Sequence, residues 1–277
     1  MAFYSGFGEK IILPNGGTNQ SDGCKQAPWD TVIHRGWISG AKENTLPAFF
    51  LAREKGFRWV ECDVRFSSDG VPVLAHDATI TSEDGKTTLS VVDSTVAQLQ
   101  NVVLETSEAY GQIRLSTLEE LLNMARLIDL SVLIDLKSSG DMARLARVVL
   151  ASGWSRRVVY MPGTVDQAAS IAAIDHNASF DFVTYASSVP SDYTVYAALL
   201  NGNNTVGFDI SATSAEGNVT RNQLDSIRMA GLTVSWWNVR ESNCAFVFDS
   251  CPLRVTKANA ADSVDLDALY LTDKTFW

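Results

Sequence analysis

"VIHRGWISGAKENTLPAFFLAREKGFRWVECDVRFSSDGVPVLAHD", residues 32–77, decides the reading of this chain. It holds two of the three histidines, His34 and His76. Between them "RWVECDVRF" (58–66) has the β-branched and aromatic content of a strand, with Glu61 and Asp63 set into it. A spacing of two puts both carboxylates on one face of that strand and Cys62 on the other. Only "SSDG" separates the strand from "VPVLA" (71–75). Four residues cannot make a parallel crossover, which needs about a dozen, so 71–75 returns as an antiparallel hairpin arm.

Outside this block, short β-type runs alternate with amphipathic segments. The runs are 31–35, 58–66, 132–136, 157–161, 181–186, 205–210, 233–239 and 269–273. Eight strands with intervening helices give a (β/α)8 barrel carrying a β-hairpin extension after the second strand. "STLEE" predicts a capping box with Ser116 ahead of Glu119. Residues 1–28 are glycine-rich and read as an N-terminal arm or junction, and 29–277 as the barrel. The chain length of 277 residues suits one such barrel of about 250.

A net charge of −10 argues against nucleic-acid or anionic-membrane partners, whose affinity rests on Lys and Arg. No apolar run reaches the roughly 20 residues of a membrane span, and no secretory signal is visible. A soluble protein is expected, cytoplasmic or part of a larger cell-surface or virion assembly. The four cysteines show no CxxC spacing, so neither zinc nor a disulfide framework is indicated.

Active sites of parallel barrels sit at the C-terminal ends of the strands. His34 ends the first run, Glu61 and Asp63 lie toward the end of the second, and Asp135 and Lys137 end the third. His76 closes the hairpin arm, able to fold over the mouth. Glu61, Asp63 and Asp135 make an oxygen-rich site for a hard divalent cation, Mg²⁺ or Ca²⁺. With Arg35, Lys137 and two imidazoles beside it, such a site suits phosphoryl chemistry. His176 reads as a polar residue with a satisfied hydrogen bond.

"HRG", "ENTLPAF" and "ECDVRFSSDGVPVLAHD", followed by "STLEELL", "VLIDLK", "VSWWNV" and "LYLTD", resemble the glycerophosphodiester phosphodiesterase family over about residues 31–273. The resemblance implies a barrel hydrolase cleaving glycerophosphodiesters to an alcohol and glycerol phosphate with a divalent cation. It implies His34 and His76 as the acid–base pair, Glu61, Asp63 and Asp135 as metal ligands, and Arg35 and Lys137 as phosphate contacts. Glu43 would support the site and Trp236 would wall the substrate pocket. The substrate's own glycerol hydroxyl would attack first, giving a cyclic phosphate that water opens. Asp135 departs from the glutamate usual at the third ligand position. That keeps two alternatives in view: a sphingomyelinase D-like lyase that stops at the cyclic phosphate, and a non-catalytic phosphodiester-binding barrel. The expected partner is a small glycerophosphodiester, soluble and deacylated, or a glycerol-phosphate polymer.

Overall fold

The computed structural model describes residues 30–138, 140–211 and 219–239, together with the backbone of 3–4, 10–11 and 254–257. Eight strands form the barrel: β1 (Asp30–His34), β2 (Trp59–Phe66), β3 (Ser131–Leu136), β4 (Val158–Met161), β5 (Ser179–Thr184), β6 (Val206–Ser211), β7 (Thr233–Val239) and β8 (Arg254–Lys257). Each pairs in parallel with the next, and β8 pairs with β1, so the sheet closes on itself. Closure leaves the ring of eight strands without an open end and lets one set of side chains fill the interior.

The expected hairpin is present. Pro72–Leu74 runs antiparallel to β2, with Arg65 opposite Val73, and the turn passes through Gly70 at φ 71°. Pro72 donates no backbone hydrogen bond, which an edge arm tolerates. Beyond it, two further hairpins (Thr79–Thr81 with Thr88–Ser90, Val103–Ser107 with Gly111–Arg114) and the helix Val96–Gln100 form a small excursion. It packs around its own apolar cluster, including Val73, Ile80, Val91, Leu99 and Leu115.

Alternation sorts the strands into two environments. From β2, Val60, Cys62, Val64 and Phe66 point outward into the main core. There they meet Phe49 and Ala52 of the helix Leu46–Glu54 and Leu118, Leu121 and Leu122 of the helix Leu118–Ile128. Fully burying each such large side chain contributes about 1.5–3 kcal/mol. Trp59, Val32, Leu133, Val159 and Met161 form a separate cluster on the inner face. Cys62 is a buried free thiol, as its place opposite the carboxylates implies.

Two local expectations shift. The capping box before Leu118–Ile128 uses Thr117 and Glu120, one residue beyond Ser116 and Glu119. Ser116 is instead buried, and its carbonyl accepts the Leu74 N–H. The helix Val165–Ala172, capped by Thr164 and Gln167, fills the β4–β5 crossover. The eighth strand is Arg254–Lys257, while the proposed closing strand at 269–273 lies outside the described residues.

Candidate active site

The register aligns the acidic residues across three neighbouring strands. His34 is the partner of Glu61 between β1 and β2, and Asp63 is the partner of Asp135 between β2 and β3. All four therefore stand at the C-terminal end of the barrel. Carboxylate oxygens of Glu61, Asp63 and Asp135 come within 4.8 Å of one another.

The chain leaves β1 through a tight turn. Arg35 (φ 57°) and Gly36 (φ 84°) are both left-handed. Gly36 is required twice over: its φ favours glycine, and a Cβ there would lie 2.8 Å from the Ala48 backbone. The turn aims the Arg35 backbone N–H at both the Glu61 carbonyl (3.1 Å) and Glu61 Oε2 (3.1 Å). The Arg35 guanidinium reaches Glu43 through Nη1 (3.2 and 3.1 Å) and lies 3.0 Å from Asp63 Oδ2 through Nε.

Asp63 is the hub, fully buried at 0% exposure. Asn44, itself left-handed at φ 55°, donates from Nδ2 to Asp63 Oδ2 at 2.7 Å and accepts the Asp63 N–H at 3.0 Å. Lys137 Nζ lies 3.1 Å from Asp63 Oδ1 and donates to Asp135 Oδ2 at 2.6 Å. Asn44 is the functional neighbour that the sequence reading passed over. It stands in the quoted "ENT", and Asn is one of the few residues that tolerates the left-handed region.

The two imidazoles occupy different settings. His34 is 31% exposed, with Nε2 at 3.7 Å from Glu61 Oε2. Burial, with the Arg35 charge next, lowers its pKa to about 4 against the opposing pull of Asp63, so it is neutral near pH 7. His76 is 38% exposed, with Nδ1 at 2.8 Å from Asp77 Oδ1. That contact holds the Asp77 carboxyl below the usual range. The His76 charge also reaches Asp135. His34 thus stands beside Glu61, and His76 beside Asp77 at the end of the hairpin arm.

Burial raises the Glu61 carboxyl well above its ordinary value, and Asp63 and Asp135 add to it. Burial likewise raises Asp135, against the opposing Lys137. Burial pulls Lys137 and Arg35 down, but the surrounding carboxylates outweigh it and both stay cationic. Three crowded carboxyls fit a hard divalent cation. Asp63 Oδ1 is buried among them, with Lys137 Nζ at 3.1 Å as its charged partner.

Trp236 is a correction. It is 0% exposed and belongs to the outward core, as do Leu224 and Ile227. It cannot wall a substrate pocket from there. Alternation gives the inner face to its neighbour. Trp237 donates from Nε1 to the Thr184 carbonyl at 3.4 Å and meets the Tyr185 ring edge-on, centroids 5.7 Å apart. Tyr185 and Val183 are exposed beside it at the end of β5. His176 accepts the expected modest role, with Nδ1 at 3.0 Å from the Ala172 carbonyl.

A closed (β/α)8 barrel with acids, cations and imidazoles gathered at its C-terminal mouth defines the class: an α/β barrel whose polar site is built on β1–β3. The chain belongs to the glycerophosphoryl diester phosphodiesterase family, whose model matches residues 34–261. It is 35% identical over 120 residues to glycerophosphodiester phosphodiesterase 1 of Rattus norvegicus, covering 42% of this chain and 36% of that protein. It is 28% identical over 138 residues to a glycerophosphodiester phosphodiesterase of Caldanaerobacter subterraneus, covering 46% of this chain and 55% of that one. The alignments thus span about a third to a half of those relatives' length. Among solved structures, an Oleispira antarctica phosphodiesterase in complex with the product sn-glycerol-3-phosphate matches with TM-score 0.69 at 20% identity, over 86% of this chain and 96% of that one. A glycerophosphodiester phosphodiesterase from Agrobacterium tumefaciens matches with TM-score 0.65 at 20% identity, over 84% of this chain and 97% of that one. At that identity these two carry the fold.

Proposed function

We propose that this barrel hydrolyses a glycerophosphodiester to an alcohol and glycerol phosphate. The observation that carries the reading is the pair of rungs His34–Glu61 and Asp63–Asp135, bracketed by Arg35 and Lys137. Glu61, Asp63 and Asp135 would hold Mg²⁺ or Ca²⁺, which when bound supplies charge neutralisation for the phosphoryl oxygens. Arg35 and Lys137 add fixed positive charge to the same oxygens. Glu43 steadies Arg35.

The neutral His34 is suited to take the proton of the substrate's glycerol hydroxyl as that oxygen attacks phosphorus. The bond from phosphorus to the alcohol oxygen breaks, and His76 returns a proton to the departing oxygen. The product of this step is a cyclic phosphate. Water then opens the ring with the two imidazoles in exchanged roles. The Nδ1 contact to Asp77 leaves His76 Nε2 for this work.

The acidic chain and the polar site favour a soluble, deacylated diester or a glycerol-phosphate polymer as substrate. In this reading residues 29–277 are the catalytic unit and 1–28 an arm. No helix among the described residues is long and apolar enough to cross a membrane.

A ³¹P NMR time course tests the proposal, with glycerophosphocholine, glycerophosphoethanolamine and poly(glycerol phosphate), each with Mg²⁺ or Ca²⁺. A phosphomonoester signal that disappears with EDTA and in His34→Ala is the expected result. A cyclic phosphate that accumulates and persists would replace hydrolysis by the lyase reaction. An unchanged diester in every tube would sink both.

A further inference from the structure

The geometry points to Arg65 as the positioning residue that holds His76 over the mouth, an inference that rests on the acid–base reading above. The sequence draws attention to His76 and leaves Arg65 as one more charge in a strand. In the structure Arg65 follows Trp59, Glu61 and Asp63 on the inner face of β2, one alternation above the buried hub. Its Nε and Nη2 both donate to the His76 carbonyl oxygen, at 2.9 and 2.7 Å. The preceding residue is pinned as well, because the Ala75 N–H donates to the Asp63 carbonyl at 3.0 Å.

The hairpin arm is therefore fastened to β2 immediately before and at His76. Beyond Leu74 it has left the regular ladder, which ends at the Val64–Leu74 pair. A two-donor guanidinium edge on one carbonyl fixes the direction of that peptide plane. The plane sets the exit of the His76 side chain. Asp77 then fixes the ring through Nδ1. Two anchors of this kind suit a residue that must hand a proton to a leaving oxygen with little angular freedom, since proton transfer demands hydrogen-bond reach. An exposed imidazole on an arm would otherwise spread over several rotamers. Arg65 acts through His76, so it is not itself a catalytic residue.

The test separates positioning from phosphate binding and from simple support of the fold. Arg65→Met and Arg65→Lys are compared with wild type on two esters of glycerol 3-phosphate, one with choline and one with p-nitrophenol. A choline oxygen needs a proton to leave and a p-nitrophenolate does not. For Arg65→Met the expected result is a kcat loss of about 10–100-fold on the choline ester, the range seen when groups orienting a functional residue are removed. KM should stay unchanged, and the loss on the p-nitrophenyl ester should be under about threefold. Arg65→Lys, which keeps one donor for the carbonyl, should recover part of the difference. Equal losses on both esters, or a loss confined to KM, would overturn the assignment.

A second readout does not depend on turnover. With three histidines in the chain, ¹⁵N-histidine spectra contain three ring systems. Arg65→Met should move or broaden the His76 signals and leave His34 and His176 in place. Unmoved His76 signals would overturn the positioning role whether or not either ester is cleaved. Wild-type protein inert to both esters would count instead against the phosphodiesterase reading.

Discussion

The barrel wall made by β1–β3 and the wall made by β5–β7 follow the same alternation and hold buried acids in both cases, yet they are built for different ends. On the first, Asp63 is met by Asn44, Arg35 and Lys137, and Asp135 by Lys137, with Glu61 within reach of both acids. On the second, Asp181 receives the Ser235 hydroxyl at 3.3 Å, and the strands close up around Gly207, where a Cβ would sit 2.1 Å from Thr233 Oγ1. On the first wall burial, and after it the like charges of Asp63 and Asp135, raise the Glu61 carboxyl against the pull of Lys137 and Arg35. The second packs small and hydroxylated residues into a tight layer. Crowded charge that costs stability is the mark of a working site, and close packing is the mark of a scaffold.

That contrast can be broken most directly at its two extremes. His34→Ala, on the first wall, should lower kcat by about 10²–10⁴-fold, the usual worth of a positioned acid or base. Its melting temperature should stay within a degree or two of wild type, since the ring is partly exposed. A modest loss would remove His34 from the acid–base pair. Trp236→Ala, on the outer face of β7, should do the reverse. It opens a cavity in the main core and should cost about 3–5 kcal/mol by denaturant unfolding. Activity per folded molecule should change little. Trp237→Leu should leave stability nearly intact and raise KM. A KM effect from Trp236 instead would restore the role first expected of it.

Much of the first wall was legible because it is contiguous. β1, its turn, β2 and the hairpin arm occupy residues 30–76, so the spacing of His34, Glu61, Asp63 and His76 along the chain maps onto neighbours in space. Asp135 and Lys137 were legible by the same i, i+2 rule. Trp236 and Trp237 were not, because two adjacent tryptophans give no phase to the alternation, and β7 carries a register shift against β8 just beyond. The capping box slipped by one residue because Ser116 and Thr117 are both favoured cap residues and each precedes a glutamate by three. Asn44 and Arg65 depend on backbone facts, a left-handed φ and a carbonyl direction, that residue types do not announce.

Asn44 supplies the next sharpening of the contrast. Asn44→Ala removes both the donor to Asp63 Oδ2 and the acceptor of the Asp63 N–H. Activity should fall by about 10–100-fold, as for other groups that orient a ligand. Stability should fall by about 1–3 kcal/mol, the cost of leaving buried polar groups unmet. An activity loss no larger than the loss of folded protein would make Asn44 a support of the turn and nothing more.

The smallest effect, and the one closest to the origin of the site, is a proton. Burial, then Asp63 and Asp135, raise the Glu61 carboxyl well above its usual range. A raised carboxyl favours the protonated form in the folded chain. Without a cation, its contribution to stability is therefore full below the ordinary glutamate value of about 4.3 and is lost as pH rises through the folded pKa. A cation reverses the preference, because it binds the carboxylate. Uptake of Ca²⁺ or Mg²⁺ should then release a fraction of one proton, and affinity should rise with pH by at most about tenfold per unit. Titration calorimetry in two buffers of different protonation enthalpy reads that proton directly. Glu61→Gln should abolish the buffer dependence along with much of the affinity, whereas Asp181→Asn on the opposite wall should leave both alone. Heats of binding that do not depend on the buffer would mean Glu61 is already ionised, with Arg35 and Lys137 balancing the wall more completely than its crowding implies.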